Sequence, residues 1–268
     1  MELRGGLRVS LVLYDTPAAL LARTATRLDR AVARLAVPTE LVVVDNSLQP
    51  KPVPLGLTLP TSGAAVHHLA GHGNVGFGRG HNLALERGFG AFHLILNPDV
   101  EMAEDALAEA LAFMASHPEC GLLAPAVRWD DGSRQYLCKR YPSVLDLLLR
   151  GFAPGPVKRL FAARLARYEM RDETGDRVVW DPPIVSGCFM LFRGDVLRRL
   201  GGFDPRYFLY FEDFDLSLRT AAVARLAYVP AVRIVHHGGH AARKGWWHVA
   251  QFARSAWRFF STHGWRWI

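Results

Sequence analysis

Glu212, Asp213 and Asp215 crowd together in the stretch Gly202-Phe-Asp-Pro-Arg-Tyr-Phe-Leu-Tyr-Phe-Glu-Asp-Phe-Asp-Leu-Ser-Leu-Arg219, among large aromatic rings. Carboxylates this close, beside apolar side chains, are costly unless they are paired or used. A like-charged neighbour raises the pKa of one member of such a group, and a carboxylate so placed can take a proton from a reacting hydroxyl. Asp45 and Asp99 each follow an apolar run directly. Asp99 offers the anionic oxygen that Mg2+ or Mn2+ prefers. Together these acids suggest a catalytic cleft. Each also has a structural reading: Asp45 as a turn cap, Asp99 as the start of the next helix, Glu212 and Asp213 as acids at a helix N-terminus.

The elements that must carry the acids alternate between strand-like and helix-like segments. Arg8-Val-Ser-Leu-Val-Leu13, Glu40-Leu-Val-Val-Val44, Val66-His-His-Leu69 and Phe92-His-Leu-Ile-Leu96 read as strands. Helical spacing runs from Leu20 to Leu35, from Asn82 to Arg87, and from about Asp105 to Ser116. This rhythm predicts an α/β domain with a mostly parallel central sheet. Ligands of such sheets gather at the carboxyl ends of the strands. Tyr14-Asp-Thr16, Asp45-Asn-Ser47 and Asn97-Pro-Asp99 all fall there. Farther on, 128–141 reads as an irregular or hairpin segment and 145–167 as two helices broken at Pro154 and Pro156. Ile184 to Phe192 reads as a core strand in which Gly187 permits close backbone approach.

Gly71-His-Gly-Asn-Val-Gly-Phe-Gly-Arg-Gly-His-Asn82 is a glycine-rich segment whose amides are expected to approach a diphosphate. It lacks the Gly-Lys-Ser/Thr end of a triphosphate loop. The dinucleotide fingerprint is also missing, because the first strand runs into Tyr14-Asp-Thr-Pro17 rather than glycines.

The 268 residues suffice for one large domain with a sizeable core. Half are hydrophobic and 21% charged, which excludes global disorder. No apolar run approaches the roughly 18 residues of a membrane span, and the N-terminus lacks the pattern of a signal peptide. Cys120, Cys138 and Cys188 form neither a metal knuckle nor a disulfide framework, so a reducing cytoplasm is expected. The net charge of +7 is uneven, since no Asp or Glu follows Asp215. A basic surface of this kind attracts phosphates or an anionic membrane. No nucleic-acid motif accompanies it, and no nucleic-acid partner is expected.

Taken together, several stretches resemble the inverting glycosyltransferases of family 2, and within it the rhamnosyltransferase-like members that build bacterial surface polysaccharides. They are Val9-Ser-Leu-Val-Leu-Tyr14, Val42-Val-Val-Asp-Asn-Ser47, Asn74-Val-Gly-Phe-Gly-Arg-Gly-His-Asn82, Leu96-Asn-Pro-Asp99, Ser186-Gly-Cys-Phe-Met-Leu191, Gly201-Gly-Phe-Asp-Pro205, Tyr210-Phe-Glu-Asp-Phe-Asp-Leu216 and His236-His-Gly-Gly239. The resemblance implies a Rossmann-like, GT-A type nucleotide-sugar-binding domain. It implies a dTDP- or UDP-sugar donor, dTDP-L-rhamnose first, and an acceptor that is a saccharide or is linked to polyprenyl diphosphate. It further implies that Asp45 recognises the base, with Tyr14, Asp15, Asn74, Gly76, Gly78, Asn82, Asn97 and Gly187 around the nucleotide sugar. Asp99 and either His236 or His237 would hold Mg2+ or Mn2+, Asp213 would be the base and Glu212 its neighbour. Two positions depart from the pattern: Asn97 stands where the short acidic motif has its first Asp, and Asp15 where many members carry Asn. A UDP-glucose, UDP-galactose or UDP-N-acetylglucosamine donor is the second reading. A non-catalytic carbohydrate- or nucleotide-binding module is the third, and the presence of both Asp99 and Asp213 weighs against it.

The catalytic domain is expected over 1–240 and an amphipathic basic, aromatic helix over 241–268. Val249, Phe252, Ala253, Ala256, Trp257 and Phe260 fall on one helical face, with Gln251, Arg254, Ser255 and Arg258 opposite. Such a helix packs on the domain or lies peripherally at the inner face of the cell membrane.

Overall fold

A computed structural model describes residues 3–48, 57–238 and 245–268. Ten strands form one sheet: β1 (Leu3–Leu13), β2 (Thr39–Asp45), β3 (Ala65–Leu69), β4 (Gly90–Leu96), β5 (Val100–Met102), β6 (Cys120–Arg128), β7 (Arg134–Gln135), β8 (Val179–Trp180), β9 (Phe189–Arg193) and β10 (Arg225–His236). Nine helices accompany them among the described residues: α1 (Ala18–Val32), α2 (Phe77–Glu86), α3 (Ala106–Ser116), α4 (Val144–Phe152), α5 (Gly155–Leu160), α6 (Ala162–Tyr168), α7 (Gly194–Leu200), α8 (Glu212–Ala221) and α9 (Gly245–His263).

The strand order is β3-β2-β1-β4-β9-β6-β10-β5, with β7 on β6 and β8 on β10. β1, β2, β3 and β4 pair in parallel, and β6 pairs in parallel with β10. β9 is antiparallel to both β4 and β6, so these two groups point the same way. The central sheet is therefore largely parallel, as expected. Alternation along the strands feeds two apolar layers. Leu7, Val9 and Leu11 pack with Leu21 and Leu28 of α1 and with Leu107 and Met114 of α3. Ile95, Met190 and Phe192 pack with Leu85 of α2, Leu197 of α7 and Leu216 of α8 on the other side. From β1 the chain moves outward through β2 to β3, then returns to the opposite side of β1 as β4. That reversal opens a crevice at the carboxyl end of β1, where Tyr14 and Asp15 lie.

Three sequence expectations change. α2 begins at Phe77, not Asn82, and takes in Gly78 and Gly80. A Cβ on Gly78 would come within 2.9 Å of Phe203, and one on Gly80 within 2.9 Å of Val12. These glycines let the helix lie close to its neighbours rather than loosen a loop. The stretch 184–188 precedes the strand, which starts only at Phe189. Three helices rather than two fill 144–168. A capping box starts α4: Asp146 N–H donates to Ser143 Oγ, and Ser143 N–H donates to Asp146 Oδ2. Arg164 of α6 donates to Asp146 Oδ1, tying α6 to α4.

α9 docks on the domain through Phe252, Ala256, Phe259 and Phe260, which pack with Leu147, Ile184, Tyr207 and Phe211. The expected faces need correction. Ser255, assigned to the polar side, is buried and donates to Leu209 O at 2.8 Å. Trp257, expected on the same apolar face as Phe252 and Phe260, is 62% exposed. The expected boundary at 240 and 241 lies outside the described residues.

Candidate active site

Three groups of residues meet at the carboxyl ends of the strands. The first closes β1 and β2. Asp45 ends β2 and is buried, and its Oδ1 accepts Ser47 N–H at 2.9 Å. Asp15, in the left-handed region at φ 46°, donates its N–H to Ser47 Oγ at 3.0 Å. Tyr14 is exposed beside it. Asn46, absent from the residues singled out by sequence, donates to Gly76 O at 3.0 Å, and its Oδ1 meets His72 Nε2 at 2.9 Å. It thereby ties the glycine-rich segment to the strand ends.

That segment braces the fold around the site. Gly76 N–H donates to Asn74 Oδ1 at 3.0 Å, and Phe77 N–H to Phe208 O at 3.1 Å. Gly76 has φ +90°, and a Cβ there would lie 2.3 Å from Phe208 O. Asn82 donates to Phe203 O at 2.8 Å and accepts Phe203 N–H at 2.9 Å. Asn74, Gly76, Gly78 and Asn82 thus seat the 203–208 stretch that leads to the acidic cluster. Asn82 and the amides of Gly76 and Phe77 are engaged inside the protein.

The second group joins Asp99, His236 and Asn97 at the ends of β4 and β10. β5 pairs antiparallel with the end of β10, opposing His236 to Val100, and this brings Asp99 to His236. His236 Nε2 lies 3.4 Å from Asp99 Oδ1. Gln135, another residue that sequence reasoning missed, donates its Nε2 to His236 O at 3.0 Å, so its Oε1 faces His236 Nδ1 at 2.9 Å. His236 Nδ1–H must therefore be the donor, and a neutral ring turns the Nε2 lone pair toward Asp99. Two lone pairs facing each other call for a cation or a proton between them. Asp99 Oδ1, His236 Nε2 and the buried Asn97 Oδ1 have no hydrogen-bond partner among the described residues. Gly238 closes over the pair, since a Cβ there would lie 2.3 Å from Asp99 Oδ2 and 2.9 Å from His236 Nε2. This donor set fits a divalent cation. Among the described residues no three His, Cys, Asp or Glu side chains gather as a complete metal cluster, so further ligands would come from outside the chain. His237 is the weaker alternative: its ring nitrogens meet Glu101 at 2.9 Å and Asp130 at 2.5 Å. Burial pushes Asp99 upward; with a proton on His236 Nε2 between the two groups, the hydrogen bond and charge of His236, with His237, outweigh burial and hold the carboxyl below its ordinary pKa.

The third group is the acidic corner at the start of α8. Tyr210 and Phe211 both have positive φ, 70° and 65°, a strain on the order of 1 kcal/mol or more each. Aromatic packing holds the turn: Phe211 sits 5.1 Å from Phe252 and 5.3 Å from Phe259, ring centre to ring centre. Asp213 Oδ2 accepts Gly187 N–H at 2.9 Å, and Oδ1 accepts Phe214 N–H at 3.0 Å. Burial raises its pKa, while the two amides and the charge of Arg150 act against the rise. Glu212 is buried, and its Oε2 has no hydrogen-bond partner among the described residues. Burial and the adjacent Asp213 push it up to about 8. Asp215 belongs to the frame: Arg219 meets it at 2.7 Å and His263 at 2.8 Å.

Ser186, Gly187 and Cys188 link the last two groups. Cys188 O accepts Asn97 N–H at 2.9 Å, while Gly187 N–H holds Asp213. The Glu212–Asp213 pair and the Asp99–His236 pair are thus linked through one short backbone segment.

No family model matches the chain. It is 32% identical over 180 residues to the N-acetylglucosaminyl-diphospho-decaprenol L-rhamnosyltransferase of Mycobacterium tuberculosis, covering 64% of this chain and 56% of that protein. It is 30% identical over 187 residues to rhamnosyltransferase WbbL of Escherichia coli, covering 66% of each. The chain thus spans about half the length of the mycobacterial relative, 56%. Among solved structures, mannosyltransferase PcManGT from Pyrobaculum calidifontis, in complex with GDP-Man and Mn2+, matches with a TM-score of 0.61 and 20% identity over 95% of this chain and 65% of that one. S. aureus TarS in complex with UDP-GlcNAc matches with a TM-score of 0.54 and 16% identity over 90% of this chain and 61% of that one. The fold is that of the GT-A nucleotide-sugar transferases, and in sequence the chain is similar to bacterial rhamnosyltransferases.

Proposed function

We propose that the protein is an inverting glycosyltransferase that moves a sugar from a nucleotide-sugar donor to a hydroxyl of a saccharide acceptor. One observation carries this reading: the orphaned Asn97, Asp99 and His236 atoms and the proton-retaining Glu212–Asp213 pair are joined through residues 186–188. Asp45, with Tyr14 and Asp15, binds the nucleoside at the strand ends. Asp99 and His236, with Asn97 beside them, would hold Mg2+ or Mn2+, which would supply positive charge to offset that developing on a departing diphosphate.

Asp213 and Glu212 divide the proton work. Glu212 keeps its proton at neutral pH and orients the acceptor. Asp213, steadied as an anion by two amides, takes the proton of the acceptor hydroxyl. The hydroxyl oxygen bonds to the anomeric carbon as the bond from that carbon to the diphosphate oxygen breaks. The nucleoside diphosphate leaves, and the single displacement inverts the centre.

The names of the sequence relatives support rhamnose as the sugar, L-rhamnose in the mycobacterial one, and dTDP-L-rhamnose is the donor that the sequence resemblance implies. The mycobacterial relative's name supports a saccharide on polyprenyl diphosphate as acceptor. A UDP-hexose or UDP-N-acetylhexosamine donor is the second reading, favoured by a structural neighbour that binds UDP-GlcNAc.

The purified chain is to be incubated with dTDP-L-rhamnose, UDP-glucose, UDP-galactose, UDP-N-acetylglucosamine and GDP-mannose. Mg2+, Mn2+ or a chelator is added, with and without a short-chain N-acetylglucosaminyl-diphospholipid. Mass spectrometry should find one donor consumed and one glycosylated product, lost on chelation. Donor binding without turnover of any donor in either metal would overturn the enzyme reading in favour of a binding module.

A further inference from the structure

The outer edge of α4, α5 and α9 carries an apolar surface that the candidate site does not use. α4 meets α9 and the residues after it: Phe152 at the end of α4 meets Phe252 of α9, 6.3 Å between ring centres, while Val144 N–H donates to Arg266 O at 2.8 Å and Leu145 N–H to Trp267 O at 3.1 Å beyond the helix. Leu148 and Phe152, one turn apart on α4, are more than half exposed. On α9, Trp246, Val249, Ala253 and Trp257 recur every three or four positions, a single stripe along the side away from the core. Trp246 is 86% exposed and Leu160 of α5 is 79% exposed. Solvent-facing aromatics gathered in this way mark an interaction surface rather than scattered exposure.

Charge selects the occupant. Neither 147–168 nor 216–268 contains a single Asp or Glu, while Arg150, Lys158, Arg159, Arg254, Arg258 and Arg266 fall within them. Lys158, Arg159 and Arg254 have no carboxylate partner among the described residues. Tryptophans with basic neighbours suit the headgroup level of a bilayer, where the rings enter the acyl boundary and the cations meet lipid phosphates. Among the described residues no helix is long and apolar enough to cross a membrane, so contact through this surface would be peripheral. The surface is also continuous with the acidic corner, because Phe252 and Phe259 hold the Tyr210–Phe211 turn before Glu212.

We infer that the α4–α5–α9 edge is a docking surface for an anionic phospholipid bilayer. Bound there, the protein would hold the Tyr210–Phe211 turn and the start of α8 near molecules held in the membrane. The inference stands apart from the transferase reading, because vesicle binding is measured without donor, metal or acceptor.

The test is flotation with vesicles of phosphatidylcholine alone and of phosphatidylcholine with phosphatidylglycerol in a three-to-one ratio. The parent chain should float with the anionic vesicles and lose binding in high salt. A variant with Trp246→Gln, Trp257→Gln and Leu160→Gln should partition about tenfold less or worse. Lys158→Glu with Arg159→Glu should weaken binding to anionic vesicles by about tenfold and leave the phosphatidylcholine result unchanged. Brominated lipids should quench the parent's tryptophan emission, a readout that needs no variant to fold. Failure of the parent to bind anionic vesicles overturns the inference, as does parent-like binding by the triple variant. So does light scattering that finds a parent dimer, a monomeric triple variant and no vesicle binding, which would make the edge a self-interface.

Discussion

Asp99 and Asp213 sit at opposite ends of one short backbone segment, yet their surroundings push them in opposite directions. Both are penalised by burial. At Asp99 the imidazoles of His236 and His237 outweigh that penalty, and the carboxyl stays below its usual range. At Asp213 the two amides and Arg150 do not, and the group rises, with Glu212 rising farther beside it. The same chemical group is thus prepared to hold negative charge in one corner and to exchange a proton in the other. Environment divides the labour here, as it does wherever two carboxylates of one cleft have their pKa values driven apart.

Removing the proton acceptor should do the greatest damage. Asp213→Asn should lower kcat by about a hundredfold to ten-thousandfold while donor affinity, read by calorimetry, stays near the parent's. Transfer at the parent's rate would remove Asp213 from the chemistry. Asp99→Asn should differ in kind: it should weaken metal-dependent donor binding as well as turnover. Titration with Mn2+ checks this, and unchanged metal affinity would dissolve the contrast between the corners. Gln135→Leu tests the support behind His236. With Nδ1 released, metal affinity should fall by about tenfold to a hundredfold, and folding should be kept. Parent-like metal affinity in that variant would show that the orientation of the His236 ring does not matter.

The two corners were not equally legible before the structure. Asp45 and Asp99 stood out because one ends an apolar run and the other follows one in Asn97-Pro-Asp99, and polar groups at the carboxyl ends of such strands face a crevice. Glu212 and Asp213 stood out because acids among aromatics need a reason. What supports them was hidden by distance along the chain. Gln135 lies 101 residues from His236, and Asn82 lies 121 from Phe203. No local pattern announces such pairs. Gly78 and Gly80 misled because glycine spacing signals a loop locally, while their cause is the approach of Phe203 and Val12. Ser255 misled for a related reason: a hydroxyl reads as solvent-facing until Leu209 O is found waiting for it. The strand pattern of the first half carried its own periodicity. The docking of α9, by contrast, depended on partners that only tertiary packing supplies.

The smallest expected effect concerns stability and gives the comparison a sign. Glu212 has an ordinary pKa of 4.5 and a folded one pushed up to about 8. Between those values the folded chain keeps a proton that the unfolded chain has released. The stabilisation linked to that proton is complete below pH 4.5 and is lost as pH rises toward 8. Chemical denaturation from pH 5 to pH 8 should therefore show stability falling by on the order of 3 kcal/mol. Glu212→Gln carries no titrating proton and should flatten that slope. Asp99 works the other way. Its stabilisation is present above the ordinary carboxylate pKa and lost as pH falls through the lowered value, so Asp99→Asn should alter only the acid limb. An unchanged slope in Glu212→Gln would mean that Glu212 is charged in the folded protein. The division between a charge-holding corner and a proton-holding corner would then fail.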